Sequence, residues 1–215
     1  MTTTTLDDVS TDHASEGVDD RTIGAGRPFA WLLVITGALG ILAAWVITLD
    51  KFALLEDPNF KPACSINPII SCGSVMKSAQ ASVFGFPNPM AGLVGFAVVV
   101  AIGMAVLGGA RFRAWYWIGL NIGTLLASVF CMWLMSQSLY VINALCLWCT
   151  LTWCVTILMF WYTTVHNIKH RIIKVPEGVR GPVLEFHWVV PVLWYGVIAV
   201  LILTKWWTQY WSTLL

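Results

Sequence analysis

Five apolar stretches, each long enough to cross a bilayer, constrain this 215-residue chain more than any other feature. A helix rises about 1.5 Å per residue, so crossing roughly 30 Å of hydrocarbon takes about 20 apolar residues, with about 17 as the lower limit. Phe29 to Leu49 meets the requirement, and so do Met90 to Gly109 and Trp188 to Thr204. The run from Ala114 to Val165 is too long for one crossing. Ser136-Gln137-Ser138 and Asn143 divide it into a third and a fourth span. The expected fold is therefore an all-α membrane protein with five transmembrane helices. Composition agrees, with 58% hydrophobic and 11% charged residues, where soluble domains carry about one quarter charge.

Residues 1–28 are polar and acidic, from Thr2 to Thr5 through Asp7, Asp8, Asp12, Glu16, Asp19 and Asp20. Such a segment buries too little apolar surface to offset its chain entropy, so it reads as a disordered tail. It is too long and acidic for a secretion signal, which leaves the first apolar run as a retained span. Short Lys- and Arg-rich loops stay in the cytoplasm. With the N-terminus inside, the inner segments hold Arg21, Arg27, Arg111, Arg113, Lys169, Arg171, Lys174 and Arg180, and the outer ones only Lys51, Lys61, Lys77 and Lys205. The interfacial aromatics Trp115-Tyr116-Trp117, Trp161-Tyr162 and Trp206-Trp207 fit the same frame. The expected organisation is a cytoplasmic tail, a bundle over 29–165 with an outer loop at 50–89, a cytoplasmic loop at 166–187, and a fifth span with a short outer end at 188–215. A net charge of +1 without a basic stripe argues against nucleic acid. None of the five spans as drawn holds an ionisable Asp, Glu, Lys, Arg or His, which argues against ion-coupled transport. Asn121, Thr124 and Ser128 read as interhelical hydrogen-bonding groups.

This orientation sorts the six cysteines. Cys64 and Cys72 lie in the first outer loop, and Cys146-Leu147-Trp148-Cys149 stands at the outer end of span four. Cys131 and Cys154 sit deeper and read as packing residues, because a buried free Cys behaves as a small hydrophobe. In a CxxC, residues i and i+3 share one helix face, so the pair closes and reopens with little backbone movement. With Asn143 as N-cap, Ala144 becomes the first helical residue and Cys146 falls in the first turn. Free amides and the helix dipole there favour the thiolate. Cys146 is thus the expected attacking sulfur, and Cys149, one turn deeper, faces the membrane and its electron acceptor. The loop pair spans Asn67-Pro68, a turn signal, and two readings stand for it. A mobile dithiol loop suits a shuttle, whereas a static disulfide staple is normal outside the cytoplasm. Two pairs at one membrane face favour thiol exchange. A zinc site would need a pair inside a membrane helix with no His to assist, so no metal is expected. The rival class is a non-catalytic membrane scaffold or small transporter with structural outer disulfides.

These residues resemble the bacterial branch of the vitamin K epoxide reductase family over roughly Phe29 to Val165. The likeness rests on the pair Cys64 and Cys72, on Ser78 six residues later, on Gly85-Phe86-Pro87-Asn88-Pro89 entering span two, and on the CxxC opening span four. The DsbB enzymes place the CxxC before the loop pair and fit less well. The resemblance implies a catalytic four-helix bundle, with span five added at its C-terminal side and a short surface helix at Ser74 to Val83 in the outer loop. It implies a membrane oxidoreductase that generates disulfides outside the cytoplasm. Cys146 and Cys149 are then the quinone-proximal centre, and Cys64 and Cys72 relay electrons to it. A membrane quinone, menaquinone or ubiquinone, accepts them. Ser78 aligns with a family Ser or Thr beside the quinone, with a solvated helix Ser as its plain alternative. Asn88 aligns with an Asn that bonds the substrate carbonyl, or serves as an N-cap ahead of Pro89. Where animal members carry a Tyr four residues after the CxxC, Trp153 offers only an indole N–H, which favours a quinone over the epoxide. Many bacterial relatives continue into a thioredoxin-like domain. Here the sequence stops at Leu215, so the expected partner is a separate secreted or periplasmic thioredoxin-fold (DsbA-like) protein.

Overall fold

The computed structural model describes residues 22–67 and 69–207. Helix α1 (Arg27–Glu56) is followed by α2 (Cys72–Lys77), a 3-10 turn at Ala79–Ser82, α3 (Asn88–Leu107) and α4 (Ala114–Gln137). A π turn at Ser138–Ile142 leads to α5 (Leu147–Lys169), then α6 (Glu177–Glu185) and α7 (Val189–Trp206). Five of these helices are long and apolar enough to cross a membrane, with α4 continuing through its π turn. The chain is an all-α multi-pass membrane protein, and α1, α3, α4 and α5 make its central bundle.

The helices pack in the order α3, α1, α5, α4, with α7 against α5. Packing is tightest between α1 and α3, because glycine removes the side chain where the two cross. A Cβ on Gly40 would stand 2.5 Å from the Phe96 ring, and one on Gly37 would stand 2.6 Å from Val100. In lipid, where tails are as apolar as Leu, such close approach supplies much of the association. α3 and α4 hardly touch, and the seam left between them becomes important below.

At one end of the bundle, strands β1 (Thr22–Ile23) and β2 (Phe112–Arg113) pair antiparallel. The Trp117 indole donates to the Ile23 carbonyl at 3.2 Å, and Arg111 donates to the Thr22 carbonyl at 3.0 Å. The expected disordered tail therefore needs correction at its end: residues 22–28 are strand, link and helix start, held by these bonds. Its remainder, 1–21, lies outside the described residues, as do Pro68 and 208–215.

Helix ends also differ from the expected spans. α1 continues seven residues past Leu49, through Asp50, Lys51 and Glu56. At 30 residues it is about 45 Å long, beyond the hydrocarbon thickness. His166 likewise falls inside α5. The break between spans three and four comes later than the Ser136-Gln137-Ser138 signal suggests, since Ser138 opens the π turn. Asn143 ends it in a left-handed conformation (φ 55°) that Asn tolerates better than most residues. Asn143 is thus a helix stop, and Cys146 itself caps α5.

Candidate redox site

The loop after α1 is shaped by its own side chains. Asn67 Oδ1 accepts from the amides of Ile69 and Ile70, at 3.0 and 2.6 Å, closing a turn of the kind Asn forms readily. Ser71 caps α2 by accepting from the Ser74 amide at 3.3 Å. Ser65 Oγ accepts from the Gly73 amide at 3.2 Å. Together these turns bring residues 64 and 72 face to face, and a Cys64–Cys72 disulfide joins them with a Cα separation of 5.7 Å.

The same loop is fastened to the segment that precedes the CxxC. Ile70 and Leu145 form a parallel bridge, in which the Leu145 amide donates to Ile69 O at 2.7 Å and the Ser71 amide donates to Leu145 O at 3.0 Å. Cys72 and Cys146 each lie one or two residues beyond this bridge, so the backbone register sets the two pairs side by side. Cys64, Cys72 and Cys146 share one buried cluster with Ile47, Leu54 and Met76, and Cys149 packs against it. The loop is packed and hydrogen-bonded and its two cysteines are joined, a geometry common to the shuttle and the staple readings of this pair.

Cys146 and Cys149 are free thiols. Cys146, fully buried, receives the Cys149 amide at 3.4 Å as the N-cap of α5. A hydrogen bond from the Cys149 thiol holds its pKa below the ordinary thiol value, and this outweighs the opposing effect of burial. The helix starts three residues later than expected, with Cys146 at the cap position in place of Asn143. The physical cause is shared, because the free amides at a helix start stabilise negative charge.

Cys149 points into a cavity of about 720 Å³ that occupies the seam between α3 and α4. α1 and α5 form its floor, and the segment from Val75 to Phe84 closes the end nearest the cysteines. The lining is largely apolar, including Phe96, Phe130, Trp153 and Met159. Ser78, Gln80, Asn88 and Lys51 bring polarity to the cysteine end. Such a volume and lining are those of a site for one apolar ligand oriented by a few polar groups.

Ser78 interrupts the expected Ser74 to Val83 helix with extended backbone (ψ 152°), so α2 and the 3-10 turn are separate pieces. Its hydroxyl donates to Val75 O at 2.7 Å while its lone pairs remain available to a ligand in the cavity. Asn88 is not the N-cap of α3. Pro87 holds that position, and the Asn88 side chain ties down the preceding turn. Its Oδ1 accepts from the Val83 amide at 2.9 Å, and its Nδ2 donates to Gln80 O at 2.7 Å. Cys131 lines the cavity with its thiol 4.0 Å from Thr156 Oγ1. Cys154 lies on α5 away from the cavity, with its carbonyl accepting the Tyr195 hydroxyl of α7 at 2.7 Å. Lys51 and Gln80 were missed by sequence reasoning. Lys51 entered only as one charge among four in the outer segments, and nothing in the sequence alone brings it beside a cavity.

A disulfide meeting a dithiol inside a helical membrane bundle is the working part of a membrane disulfide oxidoreductase, and that is the class this fold and site define. The profile of the Vitamin K epoxide reductase family matches residues 31–164, which run from α1 nearly to the end of α5. The chain belongs to the vitamin K epoxide reductase family. No individual curated protein matches it.

Proposed function

We propose that this oxidoreductase oxidises a thioredoxin-fold dithiol protein outside the cytoplasm and passes the two electrons to a membrane quinone. The observation that carries this reading is the Ile70–Leu145 bridge, which sets the loop disulfide against a CxxC whose second sulfur opens onto an apolar cavity.

Burial gives the sulfurs their order. Cys64 is 7% exposed and Cys72 is fully buried beside Cys146, so the partner thiolate attacks Cys64 and frees Cys72. The Cys72 thiolate then attacks Cys146 of the oxidised CxxC, and Cys149 leaves. The partner's second thiolate attacks its own mixed-disulfide sulfur, which releases the oxidised partner and frees Cys64. The Cys64 thiolate then attacks Cys72 and Cys146 leaves, so that Cys64–Cys72 is again the disulfide and Cys146 and Cys149 the dithiol, the pairing described above. Each step breaks one S–S bond and forms another, and the attacking sulfur is always a thiolate. The quinone supplies a two-electron, two-proton acceptor. When Cys146 and Cys149 form their disulfide, two S–H bonds are lost and two O–H bonds are gained on the acceptor. Ser78 and Asn88 orient its oxygens at the cysteine end. The lipid-facing seam between α3 and α4 admits its apolar tail. The short cysteine loop and Lys61 face outward, and the Arg-rich end faces the cytoplasm of an inner or cell membrane.

The partner step is tested by trapping. In Cys72→Ala the Cys64 thiolate attacks the disulfide of an oxidised partner, and the sulfur that would displace Cys64 from the mixed disulfide is missing, so a reducible adduct through Cys64 should accumulate with a CxxC protein of roughly thioredoxin size. Cys64→Ala should give none. Absence of any adduct in both variants would overturn the shuttle role.

A further inference from the structure

Lys51 is the one Asp, Glu, Lys or Arg lining the cavity among the described residues. It stands in the last two turns of α1, and its ammonium donates to Met76 O at 2.5 Å. That carbonyl belongs to the last turn of α2, one residue beyond the carbonyl that holds Ser78. A Lys at the C-terminal end of a short helix has a structural use, since it satisfies a free carbonyl and complements the dipole. Here the same contact also fixes the charge at the cavity wall. One of the three ammonium protons is engaged by Met76, which leaves two for other acceptors. Among the described residues no carboxylate lies within ion-pair reach of it. Asp50, its chain neighbour, does not line the cavity.

A positive charge held at the edge of an apolar space has few competing dipoles, so it acts far more strongly on a ligand than it would in water. Reduction of a quinone by a dithiol places negative charge on a quinone oxygen before the second proton arrives. We propose that Lys51 is a catalytic residue of the quinone step: its ammonium contacts the oxygen nearest Cys149 and stabilises the charge that develops there. Overall balance is unchanged, because both protons of the product come from the Cys146 and Cys149 thiols and Lys51 begins and ends as an ammonium. The same charge makes the cavity selective for ionised hydroxyquinones, which carry a standing negative oxygen where the reaction creates one. This rests on the quinone reading above.

The test uses the full-length reduced protein in detergent with two probes, neutral 1,4-naphthoquinone and the anion of 2-hydroxy-1,4-naphthoquinone. In the wild type the anion should bind at least about tenfold more tightly than the neutral compound. Lys51→Met should abolish that preference and slow single-turnover reduction of the neutral quinone by about a hundredfold, the low end for loss of one charge-stabilising donor. Lys51→Arg should restore both. Equal affinity for the two probes in the wild type, or a Lys51→Met protein with unchanged rate and preference, would overturn the proposal and leave Lys51 as the cap of α2. The wild-type comparison decides the matter even where Lys51→Met does not fold. Failure of the wild type to reduce the neutral quinone at all is a different result, and it would overturn the quinone reading together with this inference.

Discussion

Asn88 and Ser78 both line the cavity, but they are held differently, and the difference sets what each variant should do. Asn88 uses its carbonyl and amide to join two backbone groups of the 80–83 turn, so its removal leaves Val83 N and Gln80 O without partners. At about 1 kcal/mol for each net hydrogen bond, Asn88→Ala should lose about 2 kcal/mol of stability, and its activity should fall with the displaced turn. Ser78 holds one carbonyl with a hydroxyl that rotates. Ser78→Ala should melt close to the wild type and slow quinone turnover roughly fivefold, the equivalent of about 1 kcal/mol. Thermal melting and turnover on the same samples check both. A Ser78→Ala protein with normal turnover would remove Ser78 from the quinone site. The CxxC was legible in the sequence because its i, i+3 spacing is that of one helix turn, whereas the loop pair showed only as two cysteines eight apart in one outer segment. The hold on Asn88 and the position of Lys51 were not legible, since each depends on backbone groups eight and 25 residues away.

At the scale of elements, hydropathy located all five spans, because a membrane helix must be apolar through its whole thickness. It could not set their ends. Asp50, Lys51 and Glu56 end the apolar run of α1 without ending its helix, as these residues tolerate helix once outside hydrocarbon. The stop at Asn143 depends on one left-handed residue, and the pairing of Ile70 with Leu145 depends on a register that no periodicity announces. The α1–α3 contact gives the clearest element-scale prediction. Gly40→Val places branched carbons where the Phe96 ring already lies, so the helices must separate or the ring must turn. Overpacking of this kind costs about 1 to 3 kcal/mol, which should appear as a lower melting temperature. Because α1 also carries Lys51 and forms the cavity floor, quinone affinity should fall with it. Unchanged melting would show that α1 and α3 are not held at this distance.

For the whole molecule, the proposed direction of electron flow depends on which way the bundle sits. Its two ends are chemically unlike. Arg27, Arg111, Arg113, Lys169, Arg171, Lys174 and Arg180 gather at the end away from the cysteines, and Lys51, Lys61, Lys77 and Lys205 at the cysteine end. An impermeant reagent should therefore label a cysteine introduced at Lys61 in intact cells, and one introduced at Lys174 only after lysis. The opposite sidedness would place both sulfur pairs in a reducing compartment, away from the secreted dithiol protein proposed as their partner. Within that frame the central claim is that electrons leave through Cys149 into a quinone in the α3–α4 seam. The most direct test mixes the fully reduced protein anaerobically with a quinone and follows quinone loss by absorbance. The account predicts two quinones reduced per wild-type molecule, one when Cys64 and Cys72 are both replaced by Ala, and none in Cys149→Ser, with Cys131→Ala behaving as wild type. Wild-type stoichiometry in Cys149→Ser, or no quinone loss in the wild type, would contradict it.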